Sequence, residues 1–104
     1  MKKVCVLLAD GFEEIEGLTV VDILRRAGVE IHMVSITGET KVTGSHGIEI
    51  KCDTCIGQEN FSEIELFVLP GGMPGTKNLG ACKALKELLE KVNMDDISDA
   101  QVAE

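Results

Sequence analysis

A short apolar run that breaks into glycines just ahead of a helical pattern, Phe67-Val68-Leu69-Pro70-Gly71-Gly72-Met73-Pro74-Gly75, narrows what this chain can fold into more than any other stretch. In an α/β protein such a break marks the place where a parallel strand delivers its carboxyl end to a crevice. Glycines there let backbone N–H groups come close to a ligand, typically an anion. A second strand-to-helix turn, Leu7-Leu8-Ala9-Asp10-Gly11-Phe12-Glu13-Glu14-Ile15-Glu16, puts a carboxylate-rich helix start where a neighbouring strand ends. Two such turns make a site.

The elements around these turns follow from apolar periodicity. Lys3–Leu8 is a continuous β-branched and aliphatic run, the pattern of a strand buried on both faces. From Glu14 to Ala27 the residues Ile15, Leu18, Val21, Ile23, Leu24 and Ala27 recur at helical spacing. Acids in the first turn, Arg25 and Arg26 in the last, and Gly28 as the stop complete that helix. Glu30–Ile36 is the next strand, so strand, helix and strand with short links predict a right-handed βαβ unit and a parallel sheet. Lys41–Thr43 and Ile48–Lys51 alternate around Gly44-Ser45-His46-Gly47 and predict a small hairpin or edge excursion. Leu66–Leu69 is the third main strand, and Leu79–Val92 a second amphipathic helix carrying Leu85, Leu88, Leu89 and Val92. An apolar strand is due next, yet residues 94–104 hold four acids and no aliphatic run.

Composition removes several classes of function. At 104 residues with 44% hydrophobic content, the chain suffices for one small domain with a core. A formal net charge of −8 repels phosphate backbones and anionic headgroups, which sets aside nucleic-acid and membrane-surface binding. The apolar runs are strand-sized, and Met1-Lys2-Lys3 leads into Val4–Ala9 with no cleavage site, so the expected compartment is the cytoplasm. Cys5, Cys52, Cys55 and Cys82 are accordingly read as reduced thiols.

Each candidate motif has a plainer competitor. Gly71–Lys77 is not a Walker A loop, because Thr76 separates the last glycine from the lysine, and no G-x-G-x-x-G occurs. No cofactor is expected; what remains for Gly71-Gly72 is an oxyanion or anion cradle, or a tight turn into a helix. Cys52-Asp53-Thr54-Cys55 has redox or zinc spacing. It ends a strand rather than opening a helix, Asp53 disfavours a thiolate, and the further ligands a zinc site needs, from His46, His32, Cys5 or Cys82, lie at no ribbon-like spacing, so no metal is expected. Glu13 and Glu14 fit the helix dipole on an outer first turn. Glu16, one turn further in, is placed to point across the end of the sheet. His32 within a strand and His46 between turn residues are read as structural or solvated.

The two turns, in this order and spacing, resemble the ThiJ/PfpI family. The residues that carry the resemblance are Lys3–Ala9, Gly11-Phe12-Glu13-Glu14-Ile15-Glu16, Val21-Asp22-Ile23-Leu24-Arg25-Arg26-Ala27-Gly28 and Val68-Leu69-Pro70-Gly71-Gly72. It implies a flavodoxin-like α/β three-layer sandwich with a mostly parallel sheet, usually a dimer. It also implies cysteine-dependent chemistry of glyoxalase, deglycase or peptidase type on small reactive carbonyls or amide-like bonds, in a domain akin to glutamine amidotransferases. Glu16 matches the buried carboxyl that hydrogen-bonds the nucleophilic thiol, Gly72 a backbone oxyanion donor, and Cys52 a cysteine near the dimer contact. The family pattern then calls for an apolar strand ending at a nucleophile elbow, and residues 94–104 contain neither cysteine nor glycine. The expectation is therefore residues 1–93 as the N-terminal part of such a domain, truncated before the elbow strand, with 94–104 as an acidic, non-family tail. The chain is expected to be inactive alone, to self-associate through the open edge of Leu66–Leu69 or as a homo-oligomer, and to meet a small carbonyl substrate only in a completed domain. The rival is a non-catalytic dimerisation or partner-binding module.

Overall fold

The computed structural model describes residues 3–59, 61–62, 64–72, 75, 78–79, 82–83 and 85–87, and the backbone of 101–103. The elements are β1 (Lys3–Leu8), α1 (Glu14–Arg26), β2 (Glu30–Ser35), β3 (Lys41–Thr43), β4 (Glu49–Lys51), β5 (Thr54–Cys55), β6 (Ile64–Val68) and β7 (Gln101–Ala103). Five strands form one parallel sheet in the order β5-β2-β1-β6-β7, while β3 and β4 make a separate antiparallel hairpin. β1 is central because its run of aliphatics has no polar face to give to water; Cys5, Val6, Leu7 and Leu8 are wholly buried.

Alternation along β1 divides the core into two. Cys5, Leu7 and Ala9 pack with Val34, Ile64, Phe67, Leu79 and Leu85 on one face. Val4, Val6 and Leu8 pack with Phe12, Val21, Ile31, Val42 and Cys52 on the other. α1 and the hairpin cover the second face, and Ile56, Phe61, Leu79, Cys82 and Leu85 cover the first. Complete burial of side chains such as Leu7, Leu8 and Phe67 contributes about 1.5–3 kcal/mol each. Phe12 reaches its core because Gly17 leaves room: a Cβ there would stand 2.9 Å from the Phe12 ring.

α1 ends as its sequence requires. Gly28, at φ +80°, follows the C-cap Ala27 in the left-handed region. Beyond β6, Gly75, Asn78 and Leu79 are helical, and so are Lys83, Leu85, Lys86 and Glu87, with Cys82 outside both stretches. The helix expected from Leu79 thus begins earlier and is interrupted at Cys82; its remainder, 88–92, lies outside the described residues.

Two strands depart from the sequence expectation. β5 adds Thr54 and Cys55 to the outer edge of β2, opposite Val34 and Ser35. β7 lies parallel to β6, with Leu66, Phe67 and Val68 opposite Gln101, Val102 and Ala103. The edge of β6 is therefore occupied, not open as expected, because an unpaired row of backbone groups beside a buried strand recruits even a weakly apolar segment. Among the described residues, no helix is long and apolar enough to cross a membrane.

Candidate functional site

The two strand-to-helix turns are fastened to each other at the carboxyl ends of β1 and β6. The Glu13 N–H donates to the Gly71 carbonyl at 2.8 Å, the Gly75 N–H to the Gly11 carbonyl at 3.0 Å, and the Asn78 side-chain amide to the Asp10 carbonyl at 2.6 Å. Such close backbone approach leaves no room for a side chain. A Cβ on Gly72 would lie 2.5 Å from the Glu13 nitrogen, and one on Gly75 2.6 Å from the Phe12 Cα. Gly72 also sits at φ +104°, a conformation that other residues rarely adopt.

Glu16 meets the second turn from α1. A Cβ on Gly71 would come within 2.9 Å of Glu16 Oε2, so the carboxylate lies directly against the Gly71 backbone, next to Gly72. Its side chain is exposed in this chain. The structure thus brings Glu16 and the Gly71-Gly72 turn together at one end of the sheet. β7 runs parallel to β6 with Ala103 level with Val68, so its carboxyl end is directed to this same end.

The hairpin closes over the first turn, and here the sequence reading of Glu14 needs correction. Rather than lying on an outer turn, Glu14 is only 4% exposed. Its Oε2 accepts from the His46 and Ile48 N–H groups at 2.8 and 3.3 Å; its Oε1 accepts from His46 Nδ1 at 2.8 Å and Ser45 Oγ at 3.4 Å. Burial alone pushes the Glu14 carboxyl up, but the His46 ring and these backbone donors outweigh it and bring it down to about 2. The same bond, with the charges of Glu13 and Glu14, holds His46 above its ordinary value. Asp10 adds to the fastening by accepting the Thr43 N–H at 3.0 Å, and the Gly11 N–H donates to the Thr43 carbonyl at 2.8 Å. The glycine-bounded Ser45-His46 tip was the available signal, but nothing local says which acid it meets.

Glu13, Glu14 and His46 are the one group of three metal-ligand-type side chains among the described residues with donor atoms within 4.8 Å of one another. Four donors already occupy the Glu14 oxygens, so the group works as a pin between hairpin and helix. No cysteine belongs to it. Burial, then the Asp53 charge, pushes Cys52 up to about 11. Burial, then the Glu59 charge, pushes Cys5 up further still. Neither thiol is a nucleophile at neutral pH. Cys55 is buried, and Cys82 Sγ donates to the Ile36 carbonyl at 3.8 Å. Asp53 serves the sheet instead, accepting from the Met33 N–H at 2.8 Å and pairing with Arg25 at 2.9 Å.

With this geometry in view, the DJ-1/PfpI family profile matches residues 2–100. The chain belongs to the DJ-1/PfpI family. Protein DJ-1 homolog B of Arabidopsis thaliana is 34% identical over 101 residues, covering 97% of this chain and 23% of that protein. A mutant DJ-1 superfamily protein from Salmonella typhimurium superposes with a TM-score of 0.86 at 33% identity, covering 98% of this chain and 54% of that one. DJ-1beta of Drosophila melanogaster superposes with a TM-score of 0.85 at 30% identity, covering 97% and 53%. The chain therefore spans about half the length of these solved DJ-1 relatives. The DJ-1/PfpI match takes in the first six residues after Met94, and the fold is the α/β architecture of the DJ-1 structures.

Proposed function

We propose that residues 1–104 carry the acid and backbone half of a cysteine-dependent DJ-1/PfpI site for small reactive carbonyls or amide-like bonds, and that this chain alone performs no thiol-dependent turnover. The contact of Glu16 with Gly71, beside the left-handed Gly72, is the observation that carries the proposal. A nucleophile delivered at the carboxyl end of β7 enters the same end of the sheet. A thiolate there attacks a carbonyl carbon, the displaced electron pair goes to the oxygen, and a fixed N–H at Gly72 stabilises that oxyanion. In the completed site the Glu16 carboxyl group is placed to hydrogen-bond the sulfur. Within the 104 residues, Cys5, Cys52 and Cys55 are buried, the Cys82 thiol is bonded to the Ile36 carbonyl, and β7 itself carries no cysteine.

Methylglyoxal consumption by the purified chain tests this directly. The expected result is no loss above buffer, with a Cys82→Ser variant behaving identically. Turnover abolished by that substitution would assign the nucleophile to Cys82 and overturn the proposal.

A partner-binding module is the second reading, favoured by one observation: Ile15, Ile23 and Ile48 are 74%, 57% and 50% exposed. Ile15 and Ile23 lie on α1, and the Ile48 N–H bonds to Glu14 at the start of that helix. If this apolar surface joins two copies, sedimentation of the wild type shows a dimer and Ile15→Glu shifts it toward monomer. A wild type that is monomeric at all concentrations removes this reading.

A further inference from the structure

On the face of the sheet opposite α1, away from the site above, a second cluster of titratable groups has no role in the chemistry. His32 stands on β2 opposite Cys5 of β1 in the parallel register, and its side chain is 29% exposed. Its Nδ1 is 2.5 Å from Glu59 Oε1 and its Nε2 is 3.0 Å from Glu30 Oε2. A neutral imidazole has one N–H donor and one lone-pair acceptor. An ionised carboxylate only accepts, so two carboxylates can both be satisfied only by the doubly protonated ring.

Glu59 belongs to the chain that leaves β5 and crosses this face toward β6. Ile56 and Phe61 of that crossing pack on the core of Cys5, Leu7, Val34 and Phe67, and the Phe61 and Phe67 rings lie 5.9 Å apart. Among the described residues of the crossing, the Gln58 and Glu59 N–H groups donate to the Cys55 carbonyl, and the Ile56 N–H to the Ser35 carbonyl. Thr54 Oγ1 donates to Glu59 Oε2 at 3.1 Å, and the side chain of Glu59 is 7% exposed. Glu59 is thus buried against the sheet, and the charge that faces it there is His32.

The geometry points to His32 as a proton-operated pin: as an imidazolium it ties the crossing, through Glu59, to Glu30 at the start of β2, and loss of its proton releases that crossing from the core above Cys5.

The groups facing the ring are Glu59 after β5, Glu30 on β2 and Cys5 on β1, with Lys3 of β1 paired to Glu30 at 3.4 Å. The Glu59 hydrogen bond, followed by the charges and bonding of Glu59 and Glu30, outweighs burial and raises His32 above 6.5. The sign follows from linkage. A raised folded-state value gives stability that is fully present below about pH 6.5, the ordinary histidine value, and is lost as pH rises through the raised value.

The test uses the full chain in a His46→Gln background, which leaves His32 as the one histidine to titrate. Ring proton resonances give its titration, and hydrogen exchange, corrected for the intrinsic rate, follows the amides of residues 56–59, 61 and 62 from about pH 5.5 to about pH 9. The expected result is a His32 midpoint above 6.5 and a severalfold loss of protection confined to the crossing at that midpoint. Glu59→Gln is expected to lower the midpoint and remove the pH dependence. A midpoint at or below 6.5, protection unchanged through the titration, or a midpoint unmoved by Glu59→Gln would each overturn the proposal. Should the variant fail to fold, the titration and exchange of the chain with Glu59 intact still decide.

Discussion

Gly72→Ala is expected to cost about 2–5 kcal/mol, a large share of the total stability of a domain this size. Two independent penalties add. A backbone at φ +104° strains any residue with a Cβ, and the new methyl would meet the Glu13 nitrogen at 2.5 Å. That nitrogen cannot yield, because it donates to the Gly71 carbonyl in the bond that joins the two turns. Gly38→Ala is the control, since nothing lies within 4 Å of its added carbon. Urea unfolding is expected to show a midpoint lower by roughly 1–2 M for Gly72→Ala and little changed for Gly38→Ala. Equal midpoints would mean that the two turns are not held together as described.

Glu14→Gln is expected to have the second largest effect, by loosening the hairpin from the helix. A glutamine presents one acceptor oxygen and one NH₂ to a pocket where every neighbour donates, so at least one donor is left facing another. Acid acts on the same group. With a folded-state value of about 2 against an ordinary 4.5, Glu14 gives stability that is present above about pH 4.5 and lost as pH falls through about 2. His46 works in the opposite sense, its contribution being lost as pH rises through its raised value. Acid unfolding from about pH 5 to about pH 2 should therefore be steeper in the wild type than in Glu14→Gln. Equal slopes in wild type and Glu14→Gln would show that Glu14 does not fasten the hairpin.

The sequence was most legible where local chemistry and burial agree. Lys3–Leu8 has no polar face, and α1 carries acids at its start, arginines at its end and Gly28 beyond, so each was recognisable without its partners. β5 and β7 were not. Thr54–Cys55 is two residues long and is set beside β2 by the Asp53 side chain, which bonds a backbone N–H and an arginine distant in sequence. Gln101–Ala103 has one β-branched residue, and it is a strand because β6 offers an edge. Glu16 was singled out by its step along the helix. Glu14 and His32 were passed over because an acid in a first turn and a histidine in a strand are ordinary; what makes them matter is the hairpin tip and Glu59, which only the folded chain supplies.

The central claim, that Glu16 and the Gly71-Gly72 turn form half of a cysteine site at the carboxyl end of β7, is tested most directly by giving that strand a thiol. Ala103→Cys places one at the end of β7, level with Val68. Its alkylation by iodoacetamide near neutral pH, followed on the peptide containing it, reports the thiolate fraction. The account predicts that adding Glu16→Gln slows this alkylation severalfold, because the amide does not reproduce the hydrogen bond of the carboxyl group to sulfur, and that adding Glu13→Gln does not. An unchanged rate with Glu16→Gln, or a faster one, as expected if Glu16 merely repels a thiolate, would contradict it.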